Sequence, residues 1–371
     1  MKKKVLIVTA PLRVGGYDIV ATNLQEHLDK NKFECTFYIR GETVGDLEAK
    51  AIQNGARIIH KPDNIKGFVK EYKHLKQTMV QGGFDIVHTH LMYYGGLVMR
   101  AAYKAGVKKR VPHSHMTNPC MQNRSFIKKC AVKIYGMVMR MWLNRYGTDL
   151  IACGPEAGKF LYGKRAFNKR VILLNNAIDL NKFNYTIDKR KTVRQQMELD
   201  GKLVIGHIGR LNYVKNHDFL IDVFYEVQKS VPESVLLIVG EGEERKNIEK
   251  KACLLGISEK VIITGVRNDV ENMLVAIDVL VFPSLYEGLP LALIEAQATK
   301  LPCVISDTVS RYAKQNTNVK YLSLKTSPEI WAKEAMKLSR CNREEICIDD
   351  LKKNYDIKNI AKQLEEIYLS F

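Results

Sequence analysis

Short apolar runs separated by amphipathic stretches of helical length occur in two successive series along 371 residues, and this pattern constrains the chain more than any other feature. In the first series, residues 5–9, 34–39, 56–60, 85–89 and 110–112 read as strands. Residues 19–28, 46–54, 66–80 and 95–105 between them have helical spacing. Strands that alternate with helices imply a parallel sheet with helical crossovers, so a Rossmann-like domain. The pattern restarts after Ile178-Asp179. Residues 203–208, 235–239, 261–264, 279–282 and 303–305 read as strands, with helical stretches such as 217–229 and 244–255 between them. The polar stretch 181–200 reads as the linker region. Ligands of open α/β sheets bind at the carboxyl ends of the strands. Two such domains would therefore face each other across a cleft.

The length fits two domains of ordinary size, and a hydrophobic fraction of 46% excludes a disordered chain. Residues 5–10 are too short an apolar run for a signal peptide and read better as a first core strand. No stretch approaches the roughly 20 apolar residues of a membrane span. The eight cysteines form no Cys-x-x-Cys pair and read as buried free thiols of a reducing cytoplasm. No Cys or His cluster at short spacing marks a zinc site.

Charge is unevenly distributed. Residues 1–170 hold 30 Lys and Arg against 12 Asp and Glu, whereas residues 171–371 hold 28 of each. The whole excess of +18 thus lies in the first half, which points to an anionic partner. The run SFIKKCAVKIYGMVMRMWLNR at 125–145 mixes Ile134, Met137, Met141 and Trp142 with Lys133, Arg140 and Arg145. A basic amphipathic helix of that kind can lie on an anionic membrane surface. A nucleic-acid-binding protein competes for the same charge, but no helix-turn-helix, zinc-finger or aromatic-basic signature is present.

Four local constellations carry chemistry. Gly15 and Gly16 follow the first strand and let the backbone approach a ligand at a helix N-terminus. Gly209-Arg210 and Lys215 follow the first strand of the second domain and offer two cations to a diphosphate. Glu287-Gly288-Leu289-Pro290-Leu291, ending at Glu295, spans a strand-to-helix turn. Its free amides can hold a phosphate, and its two carboxylates can accept hydrogen bonds from sugar and ribose hydroxyls. An unpaired Glu295 within the apolar run 291–298 would be costly without such a role. The fourth is His113-Ser114-His115 at a strand end, where either histidine could act through its imidazole or its backbone carbonyl. His88 and His90 end the preceding strand and would shape an acceptor pocket.

Together these residues resemble the retaining GT-B glycosyltransferases of family 4, the group that builds bacterial capsule, exopolysaccharide and lipopolysaccharide chains. The resemblance covers nearly the whole chain and is most specific at the Glu-x7-Glu segment. Gly240-Glu241-Gly242 and the run from Gly265 through Val266 and Arg267 to Val270 match further family motifs. The resemblance implies residues 1–172 as an acceptor-binding domain, joined by a C-terminal helix at 357–371 that crosses back onto it. Residues 173–356 would bind the nucleotide sugar. It implies Gly15, Gly16, Arg210 and Lys215 at the diphosphate, Val266 and Arg267 beside the base, and Gly288, Leu289, Pro290 and Leu291 around the phosphate. Glu287 would contact the donor sugar, Glu295 the ribose, and His115 the reaction centre, with His113 as the alternative. The family usually carries Asn-Gly-Ile-Asp where this chain has Asn176-Ala177-Ile178-Asp179, and alanine disfavours a left-handed turn there.

No Asp-x-Asp occurs in the sequence. Donor sites that hold the diphosphate through a divalent metal commonly use such a pair. No metal and no cofactor are therefore expected. The expected activity is metal-independent transfer of a hexose or N-acetylhexosamine, with retention, from a UDP sugar to a lipid-linked or saccharide acceptor. The enzyme would be cytoplasmic and peripheral at the inner face of the membrane. A UDP-sugar 2-epimerase of similar fold, or a non-catalytic sugar-nucleotide binder, are the alternatives.

Overall fold

The protein, seen in a computed structural model, is described over residues 1–13, 16–115, 126–287 and 289–370, without the side chains of residues 16–17 and 126–129. It divides into two compact units, Met1–Ile178 with Asn354–Phe371, and Asp179–Lys353.

The first unit is built on a seven-stranded parallel sheet. Its strands are β1 (Lys3–Thr9), β2 (Phe33–Ile39), β3 (Arg57–His60), β4 (Ile86–Thr89), β5 (Lys109–Ser114), β6 (Leu150–Ala152) and β7 (Val171–Leu173). They lie in the order β3-β2-β1-β4-β5-β6-β7. The direction of crossover reverses between β1 and β4, which makes their carboxyl ends the natural place for a site. The last two strands are only three residues long and escape a periodicity reading. β7 pairs with β6, and Ile178 bridges Asp356, so this unit runs to Ile178 rather than ending at 172. The C-terminal helix Ile357–Leu369 belongs to it as well. Glu365 Oε1 accepts from the Asp29 amide at 2.8 Å, and Tyr368 packs edge-on against Phe33.

The second unit carries six parallel strands. These are β8 (Leu203–Ile208), β9 (Ser234–Val239), β10 (Val261–Ile263), β11 (Val279–Phe282), β12 (Cys303–Ser306) and β13 (Val319–Leu322). Their order is β10-β9-β8-β11-β12-β13, which places the switch point between β8 and β11. Fully buried Trp331, Phe224 and Leu236 anchor its core.

The stretch expected to be a linker is part of this unit instead. Residues Ile187–Gln196 form a helix whose Thr186 side chain caps it through the Lys189 amide. Arg190 and Arg194 both pair with Asp278, and Asp278 also accepts from the Val204 amide. Arg194 donates further to the carbonyls of Ala276 and Leu199. The polarity that reads as a solvated linker is a buried guanidinium network.

The cysteines divide in the same way. Cys35, Cys153 and Cys303 are buried, and burial pushes each thiol up to about 12. Cys253, Cys341 and Cys347 are exposed, so the buried reading applies to only part of the set.

Candidate active site

In the second unit, the expected donor residues gather at the carboxyl ends of β8, β9, β10 and β11. The loop after β8 turns through Gly209, whose φ of +154° suits glycine. A side chain there would lie 2.8 Å from Lys215 Cε, so glycine clears the path of that lysine. Gly240, after β9, is in contact with the same turn, where an added Cβ would lie 2.0 Å from the Gly209 carbonyl oxygen. The Leu211 amide donates to the Glu241 carbonyl at 3.0 Å, and Gly240 bridges Gly265 after β10. The three glycine turns are thus layered on one another, with no room for side chains between the first two.

Asn212 shapes the presentation of Lys215. Its Oδ1 accepts from the Lys215 amide at 3.3 Å, and Asn216 takes a left-handed conformation to start helix His217–Ser230. The loop is then tied to the one after β11. The Leu285 amide donates to the Val214 carbonyl at 2.8 Å, and Asn216 Nδ2 donates to the Pro283 carbonyl at 3.1 Å. From the other side, Ser306 and Thr308 hydroxyls donate to the Ser284 carbonyl, and Glu287 bridges Val309.

This scaffold brings Lys215 Nζ to 2.7 Å from Glu287 Oε1, over the Phe282 ring. Both side chains are mostly covered. Arg210 is exposed and pairs with Glu243 at 3.3 Å. Pro290 is buried and precedes helix Leu291–Ala298, with Leu289 and Leu291 half-buried beside it. Glu295 lies on that helix, and burial raises its carboxyl to about 7, with the Glu271 carboxylate adding to the effect. Val266 is exposed, and Arg267 pairs with Asp269 through two hydrogen bonds. Gly15 and Gly288 lie outside the described residues. Gly16 is the first residue of helix Gly16–His27 in the first unit, where it follows β1.

In the first unit, β4 and β5 run parallel with His88 opposite Val111 and Thr89 opposite Pro112. Side chains alternate faces along a strand, so His88 and His90 share a face with His113 and His115. His88 stacks on His113 with ring centres 5.3 Å apart, and His90 stacks on His115 at 5.0 Å. His88 Nδ1 meets the Tyr368 hydroxyl at 2.6 Å, and His88 Nε2 lies 3.3 Å from His113 Nδ1. His90 Nδ1 meets His115 Nε2 at 2.7 Å, and His115 Nδ1 meets Asn176 Oδ1 at 2.9 Å.

Burial drives the pKa values of all four histidines down, to about 3 for His88 and about 4 for His115. His90 and His113 lie well below the usual imidazole range for the same reason. The four rings are neutral at pH 7. One ring nitrogen each of His88, His90 and His113 lie within 4.8 Å of one another, and among the described residues this is the group that could hold a metal ion. Short-range spacing does not register this cluster, because two adjacent strands assemble it.

His113 is buried in the sheet, whereas His115 stands just past the end of β5 and is partly accessible. Asn176 and Tyr368 are functional candidates that the sequence reading leaves without a role. The signal for Asn176 is its place in the Asn176-Ala177-Ile178-Asp179 run. Ala177 fits that run without strain: among the described residues, the non-glycine residues at positive φ are Glu198, Asn216 and Lys300.

Comparison with known proteins agrees with this geometry. Residues 188–364 match the family described as glycosyl transferases group 1, and residues 14–182 match glycosyltransferase family 4. The glycosyltransferase EpsF of Bacillus subtilis (strain 168) is 32% identical over 92% of this chain and 89% of its own length. An Escherichia coli UDP-Gal:alpha-D-GlcNAc-diphosphoundecaprenol alpha-1,3-galactosyltransferase is 30% identical over 66% of this chain and 62% of its own. Among solved structures, Anabaena HepE in complex with UDP and glucose superposes over the full length of both chains, with a TM-score of 0.79 and 17% identity. Two parallel-sheet units, and relatedness that spans both, identify this chain as a member of the GT-B glycosyltransferases of family 4.

Proposed function

We propose that this glycosyltransferase moves a hexosyl or N-acetylhexosaminyl group from a UDP sugar to a lipid-linked or growing saccharide acceptor, with retention, in cell-surface polysaccharide biosynthesis. The observation that carries the donor assignment is the Lys215–Glu287 pair at the β8/β11 switch point. A cation and a carboxylate held side by side match the two ends of a sugar diphosphate. Lys215 and Arg210 would take the diphosphate, Glu287 the sugar hydroxyls, and Glu295 the ribose. Val266 and Arg267 would flank the base. A Staphylococcus aureus relative named for capsular polysaccharide biosynthesis and the relative named for a UDP-galactose donor support the pathway and the nucleotide.

The chemistry follows from charge. The bond between the anomeric carbon and the diphosphate breaks as charge accumulates on the leaving oxygen. Arg210, Lys215 and the amides after Glu287 stabilise that charge without a metal. The acceptor hydroxyl attacks the same face, its proton passing to the leaving phosphate oxygen. His115, its imidazole fixed by Asn176 and His90, is the proposed contributor from the first unit at the reaction centre. His113, His88 and His90 would shape the acceptor side of that unit.

An anionic membrane surface is the proposed partner of helix Phe126–Tyr146. Ile134, Met137, Val138 and Met141 are exposed at spacing i, i+3, i+4 and i+7, so they form one apolar stripe on the helix surface. Exposed Lys133 and Arg145 flank it, within the half of the chain that carries the whole +18 excess. Trp142 is half-buried with Arg100 over its ring, so it serves the core more than the interface expected of it. Among the described residues, no helix is long and apolar enough to cross a membrane.

A thermal-shift screen of UDP and GDP sugars, with and without magnesium, tests the donor assignment. UDP sugars at about 100 times Kd should stabilise by about 2.7 kcal/mol, with no dependence on magnesium. Full donor binding by both Lys215→Ala and Glu295→Ala would refute the assigned diphosphate and ribose contacts.

A further inference from the structure

We propose that His88, His90 and His113 form a binding site for one divalent transition-metal ion of the zinc or cobalt class, with Tyr368, His115 and Asn176 as its outer shell. The site lies wholly within the first unit and is independent of the donor assignment.

The argument begins with protons. Asn176 Oδ1 can only accept, so His115 Nδ1 carries the proton of their 2.9 Å hydrogen bond. His115 Nε2 is then a lone pair and accepts from His90 Nδ1 at 2.7 Å. That leaves Nε2 of His90 as its lone-pair nitrogen. On the other side, when His88 Nδ1 donates to the Tyr368 oxygen at 2.6 Å, His88 Nε2 is a lone pair as well. His88 Nε2 lies 3.3 Å from His113 Nδ1. That separation allows one long hydrogen bond while no ion is bound, just past the usual range of about 2.7–3.2 Å for a nitrogen donor. It equals the edge of a tetrahedral site, since zinc–nitrogen bonds of about 2.0–2.1 Å give an edge of about 3.3–3.4 Å.

The remaining nitrogen, His113 Nε2, is buried and makes no aligned hydrogen bond. With the ring proton on this unpartnered nitrogen, Nδ1 of His113 presents its lone pair to His88. Each histidine can therefore offer one bare nitrogen, and one ring nitrogen of each lies within 4.8 Å of the others. That is the arrangement in which outer-shell acceptors orient metal-bound imidazoles.

Ligand chemistry fits the same reading, with all three rings buried. Three imidazoles and no thiolate or carboxylate suit borderline ions such as Zn²⁺, Co²⁺ and Ni²⁺ over Mg²⁺ or Ca²⁺. Three protein ligands leave a fourth position for water. The ion would also fix His90, and through it the imidazole of His115.

The test uses the full-length chain without an affinity tag, stripped with chelator and titrated with Co²⁺. The expected result is about one cobalt per chain, with the strong visible bands of tetrahedral nitrogen ligation and no thiolate charge-transfer band. His88→Gln and His113→Gln should each lower cobalt affinity by about tenfold or more. Zn²⁺ should displace the cobalt and raise Tm. An octahedral spectrum, a thiolate band, or substoichiometric binding would overturn the proposal. So would unchanged affinity in the folded His88→Gln/His113→Gln chain. If that variant does not fold, the wild-type spectrum and stoichiometry still decide.

Discussion

Lys215 and Glu287 stand 72 residues apart in sequence, yet Lys215 Nζ donates to Glu287 Oε1 at 2.7 Å. Each neutralises the other, so on the proposed assignment the donor would enter a site whose charges are already paired. Replacing Lys215 by Ala removes a charge-assisted contact of about 1.5–3 kcal/mol, a loss of about 10- to 150-fold in UDP affinity. Calorimetric titration with UDP, which lacks the sugar, should show a large loss for Lys215→Ala. The loss for Glu287→Ala should be smaller than with the intact sugar nucleotide. Equal losses for both ligands in Glu287→Ala would argue against a sugar contact.

The proposed contact of Glu295 with the ribose predicts a pH dependence of donor binding. Burial raises its carboxyl to about 7, so below that pH the unliganded group is protonated. Accepting two ribose hydroxyls requires the carboxylate. Donor affinity should therefore rise with pH up to about 7 and then level off. It should fall by up to about tenfold for each pH unit below 7. Glu295→Gln should bind more weakly above pH 7 and lose this dependence. Affinities measured from pH 5.5 to 8.5 in both proteins decide it, and an unchanged slope in the variant would place the titration elsewhere.

Gly240 tests whether the layered turns are structural. An added Cβ would lie 2.0 Å from the backbone oxygen of Gly209, and backbone cannot swing aside as a side chain can. Gly240→Ala should cost about 1–3 kcal/mol and lower Tm by several degrees. Donor affinity should fall too, because Gly209 carries the turn that leads to Lys215. An unaltered melting curve would contradict the close approach.

Asp278 tests the helix that replaced the expected linker. It pairs with Arg190 and Arg194, and its loss would leave two guanidinium groups largely covered and uncompensated. Asp278→Ala should destabilise the second unit by about 3–5 kcal/mol in urea unfolding. A free linker would instead tolerate the change within about 0.5 kcal/mol.

The exposed stripe on helix Phe126–Tyr146 predicts binding to anionic lipid. Co-sedimentation with vesicles rich in phosphatidylglycerol should retain the protein at low salt and release it at high salt. Met137→Glu/Met141→Glu should weaken binding while leaving Tm within a few degrees, since both side chains are more than half exposed. Failure of the native chain to bind at low salt would remove the membrane from the proposed function.

The two-domain α/β architecture was legible because it rests on local periodicity. Strands such as Leu203–Ile208 and Val279–Phe282 declare themselves as apolar runs bounded by glycine or proline. β6 and β7 were not, whereas the equally short β10 was, because Val261-Ile262-Ile263 is wholly β-branched and Leu150–Ala152 and Val171–Leu173 are not. The helix Ile187–Gln196 was misread for a different reason. Its arginines look solvated in sequence, and only Asp278, more than eighty residues away, shows that they are covered. Part of the histidine cluster could have been found. Two His-x-His runs at the ends of successive strands put all four rings on one face, whereas a search for ligands close in sequence passes over them.

By itself the sequence singled out the residues proposed to serve the donor. Glu287, Pro290 and Glu295 lie within nine residues, where the geometry of one turn and one helix relates them without help from the rest of the chain. Tertiary structure decided which distant groups meet. The parallel order of the sheets brought β8 beside β11 and β4 beside β5, and with them Lys215 to Glu287 and His88 to His113. The physical reason is that strand register is set by burying whole faces of a sheet. No local stretch of chain contains that information, and the polar contacts at the strand ends follow from it.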